Sequence, residues 1–403
     1  MLRPLILFTI IVFTASCAPK TRNISDNQSE IKASQTLDTS NNQPVEEPEK
    51  WYGRNNPFIL SKDEQAILNN LTNTHGNFCT LEGSIINAAR KHAKDISMDK
   101  VLKEDGLDML RSNMLFYGNY DYRIQPYVFN LSENGINSLK KLLFEEKDNF
   151  THCGIGVYNS PIPVAIFIGV KRSIDIKPFK SSVVPGSSIQ IHGKFADTAH
   201  FDAEAYLENP DGSVKKIKTY VLGKNSFSFS VQFKGTGKYR LELQVTGKNG
   251  SETSLLVPIF SGIDIDLTPS FFPDNNDDDS PLDAQLVNLI NSVRQKHGLK
   301  ILQRDKTLDM VARNHSKDMM QNGFFGHYSQ TTGFLEDRLQ KLQIFPAYMG
   351  ENIAKSRTVL RTHHNLMNSP SHKIKILDPQ FTHFGAGIIK TNDGVIVTEI
   401  FTK

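Results

Sequence analysis

The feature that most constrains this chain is a pair of anchors that occurs twice. Ala88-Ala89-Arg90-Lys91-His92-Ala93-Lys94-Asp95 parallels Val311-Ala312-Arg313-Asn314-His315-Ser316-Lys317-Asp318. Phe150-Thr151-His152-Cys153-Gly154-Ile155-Gly156-Val157 parallels Phe381-Thr382-His383-Phe384-Gly385-Ala386-Gly387-Ile388. Each copy reads as an amphipathic helix followed, after an interval, by a Gly-x-Gly strand. The order is kept, with eight fewer residues between the anchors in the first copy. Self-similarity of this kind predicts one fold built twice. The alternative is coincidence between a helix and a glycine-bearing strand.

The second copy carries chemistry that the first lacks. Gly326-His327-Tyr328-Ser329, Gly350-Glu351-Asn352-Ile353, Ser369-Pro370-Ser371-His372-Lys373 and Thr398-Glu399-Ile400-Phe401 each set an imidazole or carboxylate beside a turn or strand former. Two His and two Glu meeting in one cleft can bind a divalent metal or share protons. Around them the elements are readable. Ser280-Pro281-Leu282-Asp283 is a helix start, with Ser as N-cap and Pro at the first helical position. Leu286, Ile290 and Val293 then recur at helical spacing up to Gly298. Leu308, Val311, Ala312, His315 and Met319 form a second apolar stripe, closed by Gly323. Phe384–Ile389 and Val395–Phe401 read as strands about Thr391-Asn392-Asp393-Gly394, a hairpin signal. Alternation puts Val395, Val397, Glu399 and Phe401 on one face, so Glu399 is a cleft residue or an edge charge. In the first copy Glu104, not His, stands twelve residues after His92, and neither Gly-Glu-Asn nor Ser-Pro-x-His is present. That copy has the composition of a core that has lost its site.

These islands, in this order, resemble the bacterial branch of the CAP superfamily, the SCP-like or YkwD-like domains, over about residues 281–403. Leu286 to Asn291 with Arg294 and His297-Gly298 matches the first helix of that family. Leu308 to Met319 matches its second, Phe324-Phe325-Gly326-His327 its first cleft loop, and Phe334 to Leu339 the turn that follows. Gly350-Glu351-Asn352-Ile353-Ala354 is the most specific piece, and Asn368-Ser369-Pro370 with His372 matches another. The chain departs from the family at Leu366 (usually Trp), Lys373 (usually Arg) and Glu399 (often Gln). The resemblance implies an α/β/α sandwich for residues 281–403, with His327, Glu351 and His372 in one cleft and Glu399 reaching it from the last strand. The family has no common reaction, and fold does not settle function.

Zn²⁺ or another divalent metal on His327 and His372, with Glu351 nearby, is the cofactor that such a set suits. The plainer reading is that these groups hold loops by hydrogen bonds. His315, on an apolar stripe, reads as a core residue, and His363, His364 and His383 have no motif support. A serine nucleophile at Ser329 or Ser369 lacks a strand-turn elbow, and a Ser before Pro caps a turn.

The start of the chain suggests a location. Met1-Leu2-Arg3 and the apolar run Leu5–Phe13 read as a secretory signal, too short to span a bilayer. Thr14-Ala15-Ser16-Cys17 resembles a lipobox, implying cleavage before Cys17 and lipid on its thiol; the alternative is an ordinary signal with a chance Cys. A polar tether follows to about residue 50, too poor in apolar residues to fold. The expected organisation is therefore a signal at 1–16, lipidated Cys17 and tether at 17–50, a degenerate CAP-like α/β domain at 51–171, a β-sandwich at 172–263, an acidic linker at 264–280 and the CAP-like domain at 281–403.

The sandwich is read from alternation in Ser226–Phe233 and in Tyr239, Leu241, Leu243 and Val245. Asn209-Pro210-Asp211-Gly212 is a turn between Phe201–Leu207 and Val214–Val221. Six or seven strands there suit an immunoglobulin-like or fibronectin-type spacer. Setting Cys17 aside leaves Cys79 and Cys153, which in an exported protein tend to pair; the alternative is two separate buried thiols. Lys+Arg 46 against Asp+Glu 43 leaves no basic stripe for nucleic acid. The run Asp274–Asp279 lacks the Gly and terminal Glu of a calcium loop and reads as a solvated hinge. The functional expectation is an envelope lipoprotein at the outer membrane or cell surface, whose cleft binds a lipid, glycan or envelope protein. A metal-dependent hydrolase using Glu351 or Glu399 as base is the alternative.

Overall fold

The computed structural model describes residues 47–54, 56–76, 78–98, 106–146, 150–269, 280–392 and 394–403. The signal, Cys17, nearly all of the tether, Glu104 and the run 274–279 lie outside the described residues.

The first unit follows strand β1 (Trp51–Tyr52). It contains α1 (Lys62–His75), β2 (Thr80–Leu81), α2 (Gly83–Ser97), α3 (Gly106–Phe116), β3 (Ile124–Phe129), α4 (Glu133–Glu146), β4 (His152–Tyr158) and β5 (Val164–Val170). Its sheet runs β2-β4-β5-β3, with β2 parallel to β4 and the other pairs antiparallel. Leu71, Leu139, Leu143 and Phe167 pack α1 and α4 on one face. Ile85, Ala89, Leu110 and Ile168 pack α2 and α3 on the other. Helices on both faces explain why β5, Val-Ala-Ile-Phe-Ile-Gly-Val, is apolar throughout rather than alternating. Cys79 and Cys153 are disulfide-bonded, with Cα atoms 5.8 Å apart.

The middle unit contains β6 (Ile174–Ile176), β7 (Phe179–Lys180), β8 (Ser182–Val183), β9 (Ser188–Phe195), β10 (His200–Glu208), β11 (Val214–Ile217), β12 (Thr219–Leu222), β13 (Ser226–Gln232), β14 (Gly237–Gly247) and β15 (Gly250–Ser261). Sheets β11-β10-β14-β15-β8 and β12-β13-β9-β6 face each other across one core that includes Phe227, Phe229, Leu241, Leu243 and Val257. Two expectations need correction. The single strand expected over Val214–Val221 is two strands, β11 pairing with β10 and β12 with β13, so the chain changes sheets about Lys218. The unit boundary at 51 is also displaced: β1 pairs with β7, and Tyr52 is buried in the sandwich core.

The last unit contains α5 (Leu282–Lys296), β16 (Gln303–Arg304), α6 (Lys306–Asn322), α7 (Leu335–Gln340), β17 (Met349–Ser356), α8 (Val359–Met367), α9 (Pro370–Ile376), β18 (His383–Thr391) and β19 (Gly394–Thr402). Its sheet runs β16-β18-β19-β17, with β16 parallel to β18. This repeats the strand order of the first unit. Leu286, Ile290, Leu366 and Phe401 build the core under α5 and α8, while Leu308, Ala312, Leu339 and Ile400 build the core under α6 and α7. Helix α5 begins one residue later than expected. Pro281 takes the cap position, and the Ser280 carbonyl accepts from the Gln285 side chain.

The Gly-x-Gly strands have the same physical cause in both units. A Cβ on Gly156 would lie 2.1 Å from the backbone N of Arg90, and one on Gly387 would lie 2.1 Å from that of Arg313. On Gly154 and Gly385 it would lie 2.6 Å from the backbone N of Ile86 and Asp309 respectively. Helix backbone therefore rests directly on strand backbone, where only glycine fits.

The units touch one another. Helix α9 lies on β10, β11 and β14 of the sandwich. Arg123 of the first unit pairs with Glu252 of the sandwich (2.5 Å). Arg361 on α8 pairs with Asp108 on α3, joining the first unit to the last. Among the described residues no helix is long and apolar enough to cross a membrane.

Candidate functional site

The site forms where β17, β19, α7 and α9 meet. Glu351, near the start of β17, is 6 % exposed. Its Oε1 accepts from His327 Nδ1 (2.8 Å) and its Oε2 from Arg338 on α7 (2.8 Å). Burial alone would raise the Glu351 carboxyl; the hydrogen bond from His327 and the charge of Arg338 outweigh it and hold the group below the ordinary carboxylate range. Because a carboxylate only accepts, His327 carries its proton on Nδ1. Arg338 also reaches the carbonyls of His327 (3.3 Å) and Phe334 (3.2 Å), so it locks the first cleft loop to α7. His315 Nε2 bonds the Gly326 carbonyl (3.0 Å) just before His327. Burial drives the His315 ring down to about 4, so it stays neutral and acts behind the site.

Glu399 lies on β19 between β18 and β17, so it is not an edge charge. It is fully buried; its Oε2 accepts from Asn352 Nδ2 (3.0 Å), and its Oε1 has no hydrogen-bond partner among the described residues. Burial raises its carboxyl to about 7, against the opposing pull of Asn352 and of the Lys375 ammonium. Asn352 also donates to the His372 carbonyl (3.3 Å), tying β17 to α9. His372 is partly buried, and its Nδ1 meets Ser369 Oγ at 2.6 Å. Burial, then the charges of Lys375 and His327, hold the His372 ring well below its usual value. The fold thus brings His327 and Glu351 into direct contact and links Glu399 to His372 through Asn352.

Sequence reasoning missed three participants. Arg338 was visible only as part of a turn. Glu242 and Gln244 come from β14 of the sandwich, which had no chemistry assigned. Glu242 is fully buried against Ser369 and Ser371, and Gln244 Nε2 donates to Ser371 Oγ (2.7 Å). Lys373, in place of the Arg usual in the family, pairs with Glu208 of the sandwich (2.8 Å). Asn249, in the β14–β15 turn, accepts from the Tyr328 amide (3.4 Å).

The serines are corrected accordingly. Ser369 occupies the cap position of α9 but makes no side-chain cap; the Ser371 amide, which such a cap would bond, donates to Glu242 instead. Ser329 is buried, donates to Asp318 (2.5 Å) and accepts from the amides of Thr331 and Thr332. Neither hydroxyl is free to attack. Among the described residues no group of three or more His, Cys, Asp or Glu side chains lies close enough to hold a metal ion.

Known proteins match this region. Residues 287–401 match the CAP family, described as the Cysteine-rich secretory protein family. The uncharacterized protein YkwD of Bacillus subtilis (strain 168) is 41% identical over 123 residues, 30% of this chain and 47% of that protein. The uncharacterized membrane protein YlbC of the same organism is 36% identical over 107 residues, 26% of this chain and 31% of that protein. The chain therefore spans less than half the length of either relative. Among solved structures, an extracellular protein containing an SCP domain from Bacillus anthracis str. Ames is 20% identical, covering 53% of this chain and 85% of that one, with a TM-score of 0.29. An outer surface protein from Borrelia burgdorferi is 26% identical, covering 30% of this chain and 90% of that one, with a TM-score of 0.28. The sequence likeness to YkwD, the match to the family and the ordered His327, Glu351 and His372 islands identify residues 287–401 as a CAP domain.

Proposed function

We propose that this chain is an exported, lipid-anchored envelope protein whose CAP cleft binds a polar ligand: a glycan, a lipid head group or a segment of an envelope protein. The observation that carries this reading is the state of the cleft groups. His327 and His372 each have Nδ1 engaged, so Nε2 is the ring nitrogen each leaves for a ligand. Glu399 keeps one oxygen without a partner among the described residues. Such a set suits hydroxyl and amide donors on a ligand, and the serines are committed to structure. Calorimetry with soluble peptidoglycan fragments tests it: wild type should bind, and His327→Gln with His372→Gln should not. No binding of glycan, lipid vesicle or envelope extract by wild type would sink the reading.

One observation favours a second reading, hydrolysis. A buried carboxyl raised to about 7 is poised to take or give a proton near neutrality. Zinc, if it binds, would use the two Nε2 atoms and would activate water there. The two readings separate on Glu399→Gln, which should abolish turnover but keep ligand binding. Zinc calorimetry on the His327→Ala/His372→Ala variant tests the metal; uptake equal to wild type would exclude these ligands.

The first unit is proposed to be a second CAP-like copy without a site, supported by the matching strand order and glycine contacts. The middle unit is proposed to be immunoglobulin-like.

A further inference from the structure

The central sandwich contributes more than spacing. Glu242 stands on β14 with no exposed surface. Its oxygens accept from Ser369 Oγ (2.9 Å to each), Ser371 Oγ (2.8 Å), the Ser371 amide (2.8 Å) and Thr253 Oγ1 (2.8 Å). These donors fill the lone-pair sites of a carboxylate. Ser369 has one hydroxyl hydrogen, and its Oγ also lies 2.6 Å from His372 Nδ1. Giving that hydrogen to Nδ1 would leave a bare hydroxyl oxygen facing two anionic oxygens. Giving it to Glu242 leaves a lone pair to accept from Nδ1–H. Ser371 Oγ, 3.3 Å from the same nitrogen, also donates to Glu242 while accepting from Gln244. Neither hydroxyl has a hydrogen left for the ring.

We infer that Glu242 is a positioning residue for His372: through Ser369 it fixes the ring proton on Nδ1 and leaves Nε2 as the acceptor. A domain outside the CAP fold thereby sets the chemistry of a CAP cleft residue. The pattern also separates this site from a hydrolytic triad. There the acid orients the imidazole and the far ring nitrogen meets the serine. Here the acid holds the serine, and the serine holds the imidazole.

The consequence for ligand recognition rests on the binding reading above, but the relay is read without any ligand. The test is nitrogen NMR on the full chain labelled at histidine, with His372 identified as the signal missing from His372→Gln. Wild type should show His372 protonated at Nδ1 and bare at Nε2. Ser369→Ala should lose that bias and show both tautomers. Glu242→Ala should free the Ser369 hydroxyl to donate to Nδ1 and move the proton to Nε2. Lys373→Met cuts the Glu208 contact of the same interface, leaves the relay intact, and should keep the wild-type signal. If Glu242→Ala does not fold, Ser369→Ala, which deletes a single oxygen, decides alone. An unchanged His372 signal in Ser369→Ala overturns the relay. A shift in Lys373→Met as large as that in Ser369→Ala overturns it too, because docking and not the hydroxyl would then set the ring. A chain that binds no ligand while Ser369→Ala shifts the signal would sink the binding reading and leave the relay standing.

Discussion

Replacing Arg338 by Met should destabilise the CAP domain strongly at neutral pH and much less in acid. Arg338 is 6 % exposed and Glu351 6 %. Met keeps much of the buried stem but removes the guanidinium that bonds Glu351 at 2.8 Å and the carbonyls of His327 and Phe334. Stranding one member of a buried ion pair costs about 3–5 kcal/mol. His327 still bonds the carboxylate, so the lower end, about 3 kcal/mol, is expected. The Glu351 pKa is depressed in the folded state, so the pair's stabilisation is present above the unfolded value and lost as pH falls through the folded one. The deficit of the variant should therefore be full at pH ~7 and shrink below about 4, where an unfolded Glu titrates. Urea unfolding followed by far-UV circular dichroism reads this as a midpoint shift of about 1–3 M at neutral pH, for a denaturant slope of about 1–3 kcal/mol per M. A loss below about 1 kcal/mol at pH 7 would place the pair in the class of exposed ion pairs. A deficit that grows on acidification would refute the electrostatic argument.

The other predictions follow from single features. Cys79→Ala with Cys153→Ala opens a loop of sequence separation 74 and should cost the first unit about 4 kcal/mol by the chain-entropy relation; an unchanged urea midpoint would count against it. Gly387→Ala puts a Cβ 2.1 Å from the Arg313 backbone, which cannot yield as a side chain can, so the loss should exceed the about 1–3 kcal/mol of ordinary overpacking; a melting point within error of wild type would contradict this. Cys17→Ser should move the protein from the membrane to the soluble fraction; a variant that still sediments with membranes would end the lipid-anchor proposal.

Much of the last unit was legible because its signals are local. The stripe Leu308, Val311, Ala312, His315, Met319 became α6, and Glu399 among apolar neighbours is fully buried rather than an edge charge. Arg338 was not legible as a counter-ion, because its meeting with Glu351 depends on how α7 folds back over β17. Glu242 was hidden for a different reason. In β14 the apolar residues Tyr239, Leu241, Leu243 and Val245 alternate with Arg240, Glu242 and Gln244, so period-two reasoning assigns the polar set to water. Docking of α9 buries that polar face, and no periodicity within either segment announces the contact. Ser369 failed likewise: its local role as a cap is displaced by an acceptor from far away in sequence.

The ion pair between Arg361 and Asp108 gives the molecule a mechanical property. It joins the first unit to the last, while each also grips the sandwich: Arg123 to Glu252 on one side, Ser369 and Ser371 to Glu242 on the other. A string of beads yields at its weakest joint, but a triangle keeps its angles until a side breaks. Torque on the first unit therefore reaches α8, and α9 beside it, by two routes at once. Bending at either joint alone would have to strain or break the Arg361–Asp108 contact as well.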